Sequence, residues 1–257
     1  SRFIWKLPLL FCLMYFGNFA PLSAQIEVGQ ALNAPYSPTA IIEDLFLGKG
    51  IEIVDVNFKG IPNHVGYFNK GIDDIGIEDG IILSTGEMYI LDWGNNSGSE
   101  TTSQFPSEVV DNDLQTISNG GDLFHTSVFE IQFIPQADSI EFNYAFASEE
   151  FPEWGCDCYN DIFGFFISGP GISGPYPNNS RNIALVPDPA DPSGLGFTQN
   201  PVTINNVNPG VPGGGQNPAN CMPPDGSLAF GQYYRDNSNS NNLTYDGYLS
   251  VFFAQVI

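Results

Sequence analysis

Apolar and polar residues alternate over long parts of the chain, which is the pattern of strands with one buried face. The alternation is clearest in Ile51–Phe58, Phe129–Phe133 and Ile140–Phe146. Within Ile51–Phe58 the phase shifts by one residue, which predicts a bulge near Ile53. Shorter apolar runs predict further strands at Gly80–Ser84, Asn182–Val186, Val202–Val207, Ala229–Tyr234 and Tyr248–Ala254.

Helical periodicity is confined to two segments. From Ser37 to Gly48, apolar residues recur at helical spacing, Ser37 can cap the first turn, and Gly48 can end the helix. A second short helix is predicted around Ser107–Ile117. Many short strands, frequent Gly and Asn turns and few helices predict an all-β fold. The expected architecture is an antiparallel β-sandwich of jelly-roll type, with one or two short helices and long loops, notably Pro187–Gly226.

The first residues predict export to the cell surface or the medium. Two basic residues precede the almost uncharged apolar run Leu7–Ala20, and small residues lead up to Ala24. We therefore expect a signal peptide at residues 1–24 and a single β-sandwich domain at residues 25–257. No later segment is apolar enough to span a bilayer, so direct membrane insertion is not expected.

The charge of the chain is strongly one-sided. Once the signal peptide is removed, five basic residues remain against 29 acidic residues, which gives a net charge of about −24. Such a field repels phosphate backbones, so nucleic acid is not expected as a partner. It attracts divalent cations, although most of these charges are expected to lie on a solvated surface.

Three cysteines remain after cleavage: Cys156, Cys158 and Cys221. In an oxidising compartment a disulfide is favoured over zinc binding or a catalytic thiol. Cys156 and Cys158 lie too close in sequence to pair comfortably, so one of them is expected to bridge to Cys221, which contributes about 4 kcal/mol. Which of the two pairs stays open, as does a zinc site that uses all three with a histidine.

The most unusual segment joins two aromatic-rich runs, Ile140–Ala147 and Ile162–Ser168. Ile162–Ile167 is apolar on both faces, which predicts a central strand. If the two runs are neighbouring strands, the acidic connection between them, Ser148–Asp161, lies at one end of the sandwich. Its polar side chains would then converge there, namely Glu149, Glu150, Asp157, Asn160 and Asp161. Carboxylates so close together repel one another unless they are protonated, hydrogen-bonded or bridged by a cation.

Three interpretations of this cluster stay open. The first is a calcium site formed by Glu149, Glu150, Asp157, Asn160 and Asp161, because hard oxygen ligands suit calcium. The second is purely structural, with the carboxylates hydrogen-bonded to the backbone and no ion. The third is a glycosidase pair of carboxylates separated by about 5–9 Å.

Three other motifs do not support a functional assignment. Gly169–Gly174 matches a dinucleotide-binding fingerprint, but the prolines that follow cannot open the required helix. Asp111–Asp113 begins like an EF-hand loop, but Thr116 stands where glycine is required. The two histidines, His64 and His125, have no serine nucleophile signature beside them, so a catalytic triad is not expected.

Two stretches, Phe146–Phe151 (FASEEF) and Asn160–Gly171 (NDIFGFFISGPG), are long enough to be specific. Further stretches join them: Gly80–Gly86, Asn182–Pro187, Pro201–Asn208 and Tyr245–Gly247. Together these residues resemble the choice-of-anchor L domain of exported bacterial proteins, which is common in Bacteroidota. The resemblance implies a β-rich surface module that is joined to different C-terminal anchors or sorting domains in different members.

The same resemblance implies that further strands follow Ile257, so the chain is expected to be truncated, with its anchor and a partner for the odd cysteine on the missing part. The expected function is a non-enzymatic module for adhesion or extracellular ligand binding, with calcium as its candidate cofactor. Its partner would be an extracellular protein or a glycan. The alternative is a secreted carbohydrate-active hydrolase that uses Glu149 or Glu150 with Asp157 or Asp161.

Overall fold

The computed structural model of the chain describes residues 25–30, 37–43, 51–91, 94–95, 109–118, 121–156, 160–194, 196–210, 230–249 and 251–256. Across these residues every strand pair is antiparallel, and α-helix is limited to two short segments. The predicted all-β antiparallel fold with one or two short helices is therefore confirmed. No helix within these ranges combines the length and the apolar character that a membrane span requires.

The strands are short and are numbered in chain order. They are β1 (Glu27–Gln30), β2 (Ile51–Lys59), β3 (Val65–Asn69), β4 (Gly80–Leu83), β5 (Val128–Pro135), β6 (Ile140–Tyr144), β7 (Ala147–Ser148), β8 (Phe166–Ile167), β9 (Arg181–Asn182), β10 (Leu185–Pro187), β11 (Phe197–Pro201), β12 (Tyr234–Asp236), β13 (Gly247–Leu249) and β14 (Phe252–Val256). Two three-stranded sheets have the orders β1-β3-β4 and β12-β13-β7. The other pairs are β2-β5, β6-β14, β8-β9 and β10-β11.

The longest ladder, between β2 and β5, confirms the alternating pattern and the bulge. Its register shifts between Ile53 and Asp55, which is where the sequence changes phase. Most apolar residues of both strands are half-buried, while Val54 and Ile134 are exposed. The rings of Phe58 and Phe129 lie 5.0 Å apart. The outer face is polar, with Glu130 accepting a hydrogen bond from Asn57 at 3.0 Å.

Both helices begin at capping side chains. Helix α1 (Pro38–Ile41) begins after Ser37, whose hydroxyl accepts a hydrogen bond from the Ala40 N–H at 3.2 Å. The predicted end of this helix at Gly48 lies outside the described residues. Helix α2 (Asn112–Ile117) begins later than predicted, because the Asp111 carboxylate caps it by accepting the Leu114 N–H at 2.9 Å.

The main core cluster lies between the C-terminal strands and the segments that follow β7. Its buried members are Phe151, Val186, Val202, Ile204, Val207, Phe230, Leu249 and Phe252. Burying a side chain of this size contributes about 1.5–3 kcal/mol. Because Phe151 lies within the acidic connection, this cluster anchors the connection to the core.

The prediction of a continuous strand at Ile162–Ile167 was wrong. Only β8 is a strand there, and Ile162 makes an isolated bridge to Thr203. The side-chain oxygen of Asn182 accepts the Phe165 N–H at 3.1 Å, so a side chain takes the place of a ladder carbonyl. This segment packs against β6 through aromatic rings instead: the centroids of Phe142 and Phe165 lie 4.5 Å apart.

The C-terminal half also departs from the predicted strands. Val202–Val207 forms turns rather than a strand, since the N–H groups of Asn206 and Val207 both donate to the Thr203 carbonyl, at 3.2 and 3.0 Å. Strand β11 ends before it, at Pro201. The predicted strands at Asn182–Val186 and Tyr248–Ala254 are each split in two, and Ala229–Tyr234 holds a 3-10 turn that precedes β12.

Candidate functional site

One hydroxyl ties the two ends of the acidic connection together. Ser148, in β7, is almost fully buried, and its Oγ donates a hydrogen bond to Oδ2 of Asp161 at 2.7 Å. The same Oγ accepts the N–H of Glu150 at 2.9 Å. β7 is itself held by pairing with β13. The entry and the exit of the connection therefore meet at a single side chain.

Asp161 is a half-buried residue. Burial raises its pKa, and the hydrogen bond from Ser148 lowers it again in part. Its backbone carbonyl accepts the Ile204 N–H at 3.1 Å, which anchors it to the main core. Such a group is arranged to accept hydrogen bonds inside the protein rather than to face solvent.

Glu149 and Asp161 both act on Tyr245, a residue that the sequence did not indicate as part of a site. The Oε2 atom of Glu149 is shielded from solvent. Burial raises the pKa of Tyr245 to about 12, a hydrogen bond with Ser84 opposes that rise, and the negative charges of Glu149 and Asp161 add to it. The cluster therefore consists of Glu149 and Asp161 with three hydroxyls: Ser84, Ser148 and Tyr245. Tyr245 opens one of the short stretches that resemble the family, which was the one sequence signal for it.

Asn160 takes a structural part in the connection. Its Oδ1 atom accepts the Asn205 N–H at 3.2 Å. Asn205 in turn accepts the Cys156 N–H at 2.8 Å through its own Oδ1. These bonds fasten the far end of the connection to the turn that follows β11.

Only one of the three cysteines in the disulfide prediction lies within the described residues. Cys156 is fully buried. Cys158 and Cys221 lie outside the described residues, as does Asp157. The predicted disulfide and the role of Asp157 therefore stay predictions.

The acidic side chains of the connection act on more than one group. Glu149 and Asp161 lie near Tyr245. Burial raises the pKa of Asp246 most, and the negative charges of Glu153 and Asp236 raise it further, so Glu153 acts on a different group from Glu149. Glu153 is not one of the side chains that the sequence predicts to converge, and Asp157 lies outside the described residues, so the convergence of Glu149, Glu150, Asp157, Asn160 and Asp161 stays a prediction.

The predicted calcium site stays untested. Within the described ranges, no three His, Cys, Asp or Glu side chains lie close enough to hold a metal ion together. Since Asp157 lies outside those ranges, the five-residue ligand set of Glu149, Glu150, Asp157, Asn160 and Asp161 is not fully in view. Two of its members, Asn160 and Asp161, already accept hydrogen bonds from protein groups.

The two histidines lie near each other, which the sequence did not indicate. His64 is 2% exposed, and its Nδ1 atom is enclosed without a hydrogen-bond partner in the described structure. Burial lowers the pKa of His64, the positive charge of His125 lowers it further, and the negative charge of Glu87 opposes both. The neutral imidazole is therefore the form that the folded protein favours.

Comparison with known proteins gives one match. The model of the family described as the choice-of-anchor L domain matches residues 30–256. No curated protein and no solved structure matches the chain. The matched region contains the whole acidic connection together with Tyr245.

Proposed function

Because the chain belongs to the choice-of-anchor L domain family, which is associated with surface or secreted proteins, we propose that it is a non-enzymatic extracellular module for adhesion or ligand binding. A signal peptide at residues 1–24, which is predicted from the sequence, would export it. Its partner would be an extracellular protein or a glycan, and its acidity disfavours nucleic acid.

The arrangement of Ser148 and Asp161 is the observation that carries this proposal. A glycosidase needs two carboxyl groups that face a substrate cleft from opposite sides of the scissile bond. Asp161 is half-buried and its carboxylate is hydrogen-bonded to the Ser148 hydroxyl, and Oε2 of Glu149 is shielded from solvent. Carboxyl groups used in this way support the fold of a binding surface and favour the module over the hydrolase.

Calcium remains the candidate cofactor of the acidic connection. An ion held by Glu149, Glu150 and Asp157 beside Asp161 would neutralise the repulsion between carboxylates and order the loops next to them. Thermal unfolding in calcium against chelator tests this. An ion at 100 times its dissociation constant adds about 2.7 kcal/mol to the free energy of unfolding.

Binding and turnover are separated by one experiment. The purified protein is applied to arrays of glycans and extracellular matrix proteins, and each ligand that binds is then incubated with it and assayed for new reducing ends. Saturable binding without new reducing ends is the expected result. Release of reducing ends that is lost in Glu149→Gln would replace the module with a hydrolase, and no binding to any ligand would remove the adhesion proposal.

A further inference from the structure

The turn that follows β7 carries three exposed residues between buried ones. Pro152, Glu153 and Trp154 are exposed, whereas Phe151 before them and the two residues after them are buried. Residues 151–156 are called the Trp154 turn below. The side chain of Trp154 is 40% exposed, so a large part of the indole is open to a partner. Exposed tryptophans of this kind are the residues that most often dominate the energy of an interface.

Both flanks of the Trp154 turn are anchored to the domain. The Trp154 N–H donates to the Glu150 carbonyl at 2.9 Å. Phe151 is fully buried and belongs to the main core cluster. On the other flank, the Cys156 N–H donates to Oδ1 of Asn205 at 2.8 Å. The exposed tip is therefore held in position before a partner arrives, and binding through it loses little conformational entropy.

Asp236 lies beside the same turn, as the geometry of the β12–β13 ladder shows. It is directly opposite Gly247, so the side chains at these two positions point to the same face of the sheet. A Cβ on Gly247 would lie 2.9 Å from the Cβ of Phe151. Since directly opposite Cβ atoms are about 4.5–5.5 Å apart, the Cβ of Asp236 lies within about 8 Å of the Cβ of Phe151. Asp236 is exposed there.

The cation nearest in sequence does not neutralise these carboxylates. Arg235 lies between Tyr234 and Asp236 in β12, so its side chain points to the opposite face. It donates to the carbonyls of Gln232 and Tyr234, at 3.0 and 2.9 Å. Hydrogen bonds from Ser238 lower the pKa of Asp236, so this carboxylate is ionised at neutral pH.

An exposed indole with carboxylates around it favours a cationic ligand. A guanidinium group stacks on the face of a tryptophan ring, and its N–H groups bind carboxylates at the edge. The chain as a whole carries 29 acidic residues against seven basic ones, and this excess attracts basic partners over longer distances. The local and the overall charge therefore select the same kind of partner.

A sugar ring is the other ligand that stacks on an exposed indole. A neutral glycan has no charge that matches the carboxylates of Glu153 and Asp236. A sulfated or otherwise anionic glycan is repelled by them and by the excess of acidic residues. Charge complementarity therefore favours a basic protein segment over a glycan at this place.

We propose that the Trp154 turn binds an arginine side chain in a basic segment of an extracellular protein. The guanidinium stacks on Trp154, and the carboxylates of Glu153 and Asp236 balance its charge. This inference rests on the proposed binding function and names the partner of that function as a basic protein. Lysine binds more weakly at such a place, because a compact ammonium group has no flat face to stack on the ring.

A peptide titration tests the site. A dye-labelled peptide of alternating arginine and glycine is titrated with the purified protein at about 0.15 M salt, where charges are screened beyond about 8 Å. A peptide with citrulline in place of arginine keeps the shape and removes the charge, and it should not bind. Trp154→Leu removes the ring and should weaken binding at least about threefold. Phe124→Leu, which removes a 68% exposed aromatic ring outside the acidic connection, should leave binding unchanged.

A matched pair of double variants tests the carboxylates. Glu153→Gln with Asp236→Asn removes two charges from the site, and Glu52→Gln with Asp55→Asn removes two exposed charges from β2. The first pair should weaken binding of the arginine peptide at least about threefold more than the second. Because the first pair keeps the indole, it decides the question if Trp154→Leu fails to fold.

The outcomes separate this inference from the proposed function. Ligands that bind on the arrays should be basic proteins, and Trp154→Leu should bind them less tightly. A ligand that Trp154→Leu binds as tightly as wild type overturns this inference alone, as does an arginine peptide that does not bind. A glycan whose binding is lost in Trp154→Leu also overturns it, because the indole then holds a sugar. No binding to any array ligand removes the proposed function and this inference with it.

Discussion

The hydroxyl of Ser148 lies 2.7 Å from Oδ2 of Asp161, so two residues thirteen positions apart close the acidic connection into a loop. Ser148→Ala removes the donor and leaves the carboxyl group of Asp161 without it. We expect a loss of about 1–3 kcal/mol in the free energy of unfolding, measured by urea denaturation at neutral pH.

The pH dependence of the stability lost in Ser148→Ala is a further check on this prediction. The pKa of Asp161 is raised by burial, so its protonated form is favoured on folding, and its contribution to stability fades as the pH rises through its folded pKa. Without Ser148 the pKa of Asp161 rises further, so the loss should be smaller at about pH 4 than at about pH 7. Ser193→Ala breaks an exposed serine–aspartate bond and should change stability by less than about 0.5 kcal/mol at either pH.

The lowered pKa of His64 predicts that the protein loses stability in mild acid. Its pKa is lowered from 6.5 in the folded protein, so the unfolded chain takes up the proton first. Its contribution is therefore present above pH 6.5 and is lost as the pH falls towards the folded pKa, with a slope of up to about 1.4 kcal/mol per pH unit.

The measurement is urea denaturation of wild type and His64→Leu between about pH 7.5 and about pH 5. The slope of the difference between them isolates His64 from the buried carboxyl groups, which act in the opposite direction. His125→Gln should keep most of the slope, since burial of His64 is the larger cause. Parallel pH curves for wild type and His64→Leu would contradict the prediction.

Local patterns predicted the local parts of this fold. The alternation in β2 and β5, the bulge after Ile53 and the cap at Ser37 are all set by near neighbours in sequence, and all three are confirmed. The strand predicted at Val202–Val207 was wrong because the Thr203 carbonyl accepts the N–H groups of Asn206 and Val207, which makes a turn. Apolar residues there are buried in a turn, and periodicity does not distinguish that from a strand.

The candidate sites depend on contacts that no local pattern reports. Glu149 meets Tyr245 across nearly a hundred residues. The negative charge of Glu153, only four residues after Glu149, acts on Asp246 instead. The sequence did show that a cluster of carboxylates needs neutralising, but pairing between β7 and β13 decides which carboxylates meet.

The packing of the turn that follows β7 can be tested by replacing Gly247. Gly247→Ala brings a Cβ within 2.6 Å of the Tyr234 ring and 2.9 Å of Phe151 Cβ. We expect a loss of about 1–3 kcal/mol by urea denaturation, because either the ring or the backbone must move. Gly169→Ala is the matched control, since its nearest neighbour, Ile172 Cδ1, is at an ordinary 3.8 Å. Equal stability of the two variants would show that Tyr234 and Phe151 do not fill that space.

The cysteines give the last prediction. Cys156 is fully buried, and its backbone N–H donates to Oδ1 of Asn205, which holds this part of the acidic connection against the turn that follows β11. A bridge from Cys156 or Cys158 to Cys221 closes a loop of more than sixty residues and should contribute about 4 kcal/mol by the chain-entropy account.

Peptide mapping without reductant, followed by mass spectrometry, identifies the pair. The expected product joins Cys221 to one of the two earlier cysteines, and a reducing agent should then lower the Tm by about 8 °C or more. Replacing the cysteine that is left over with serine should change the Tm by much less and serves as the control. Recovery of Cys221 as a free thiol in the oxidised protein would remove the disulfide, and the hydrogen bonds of Asn205 and Ser148 would then hold the connection by themselves.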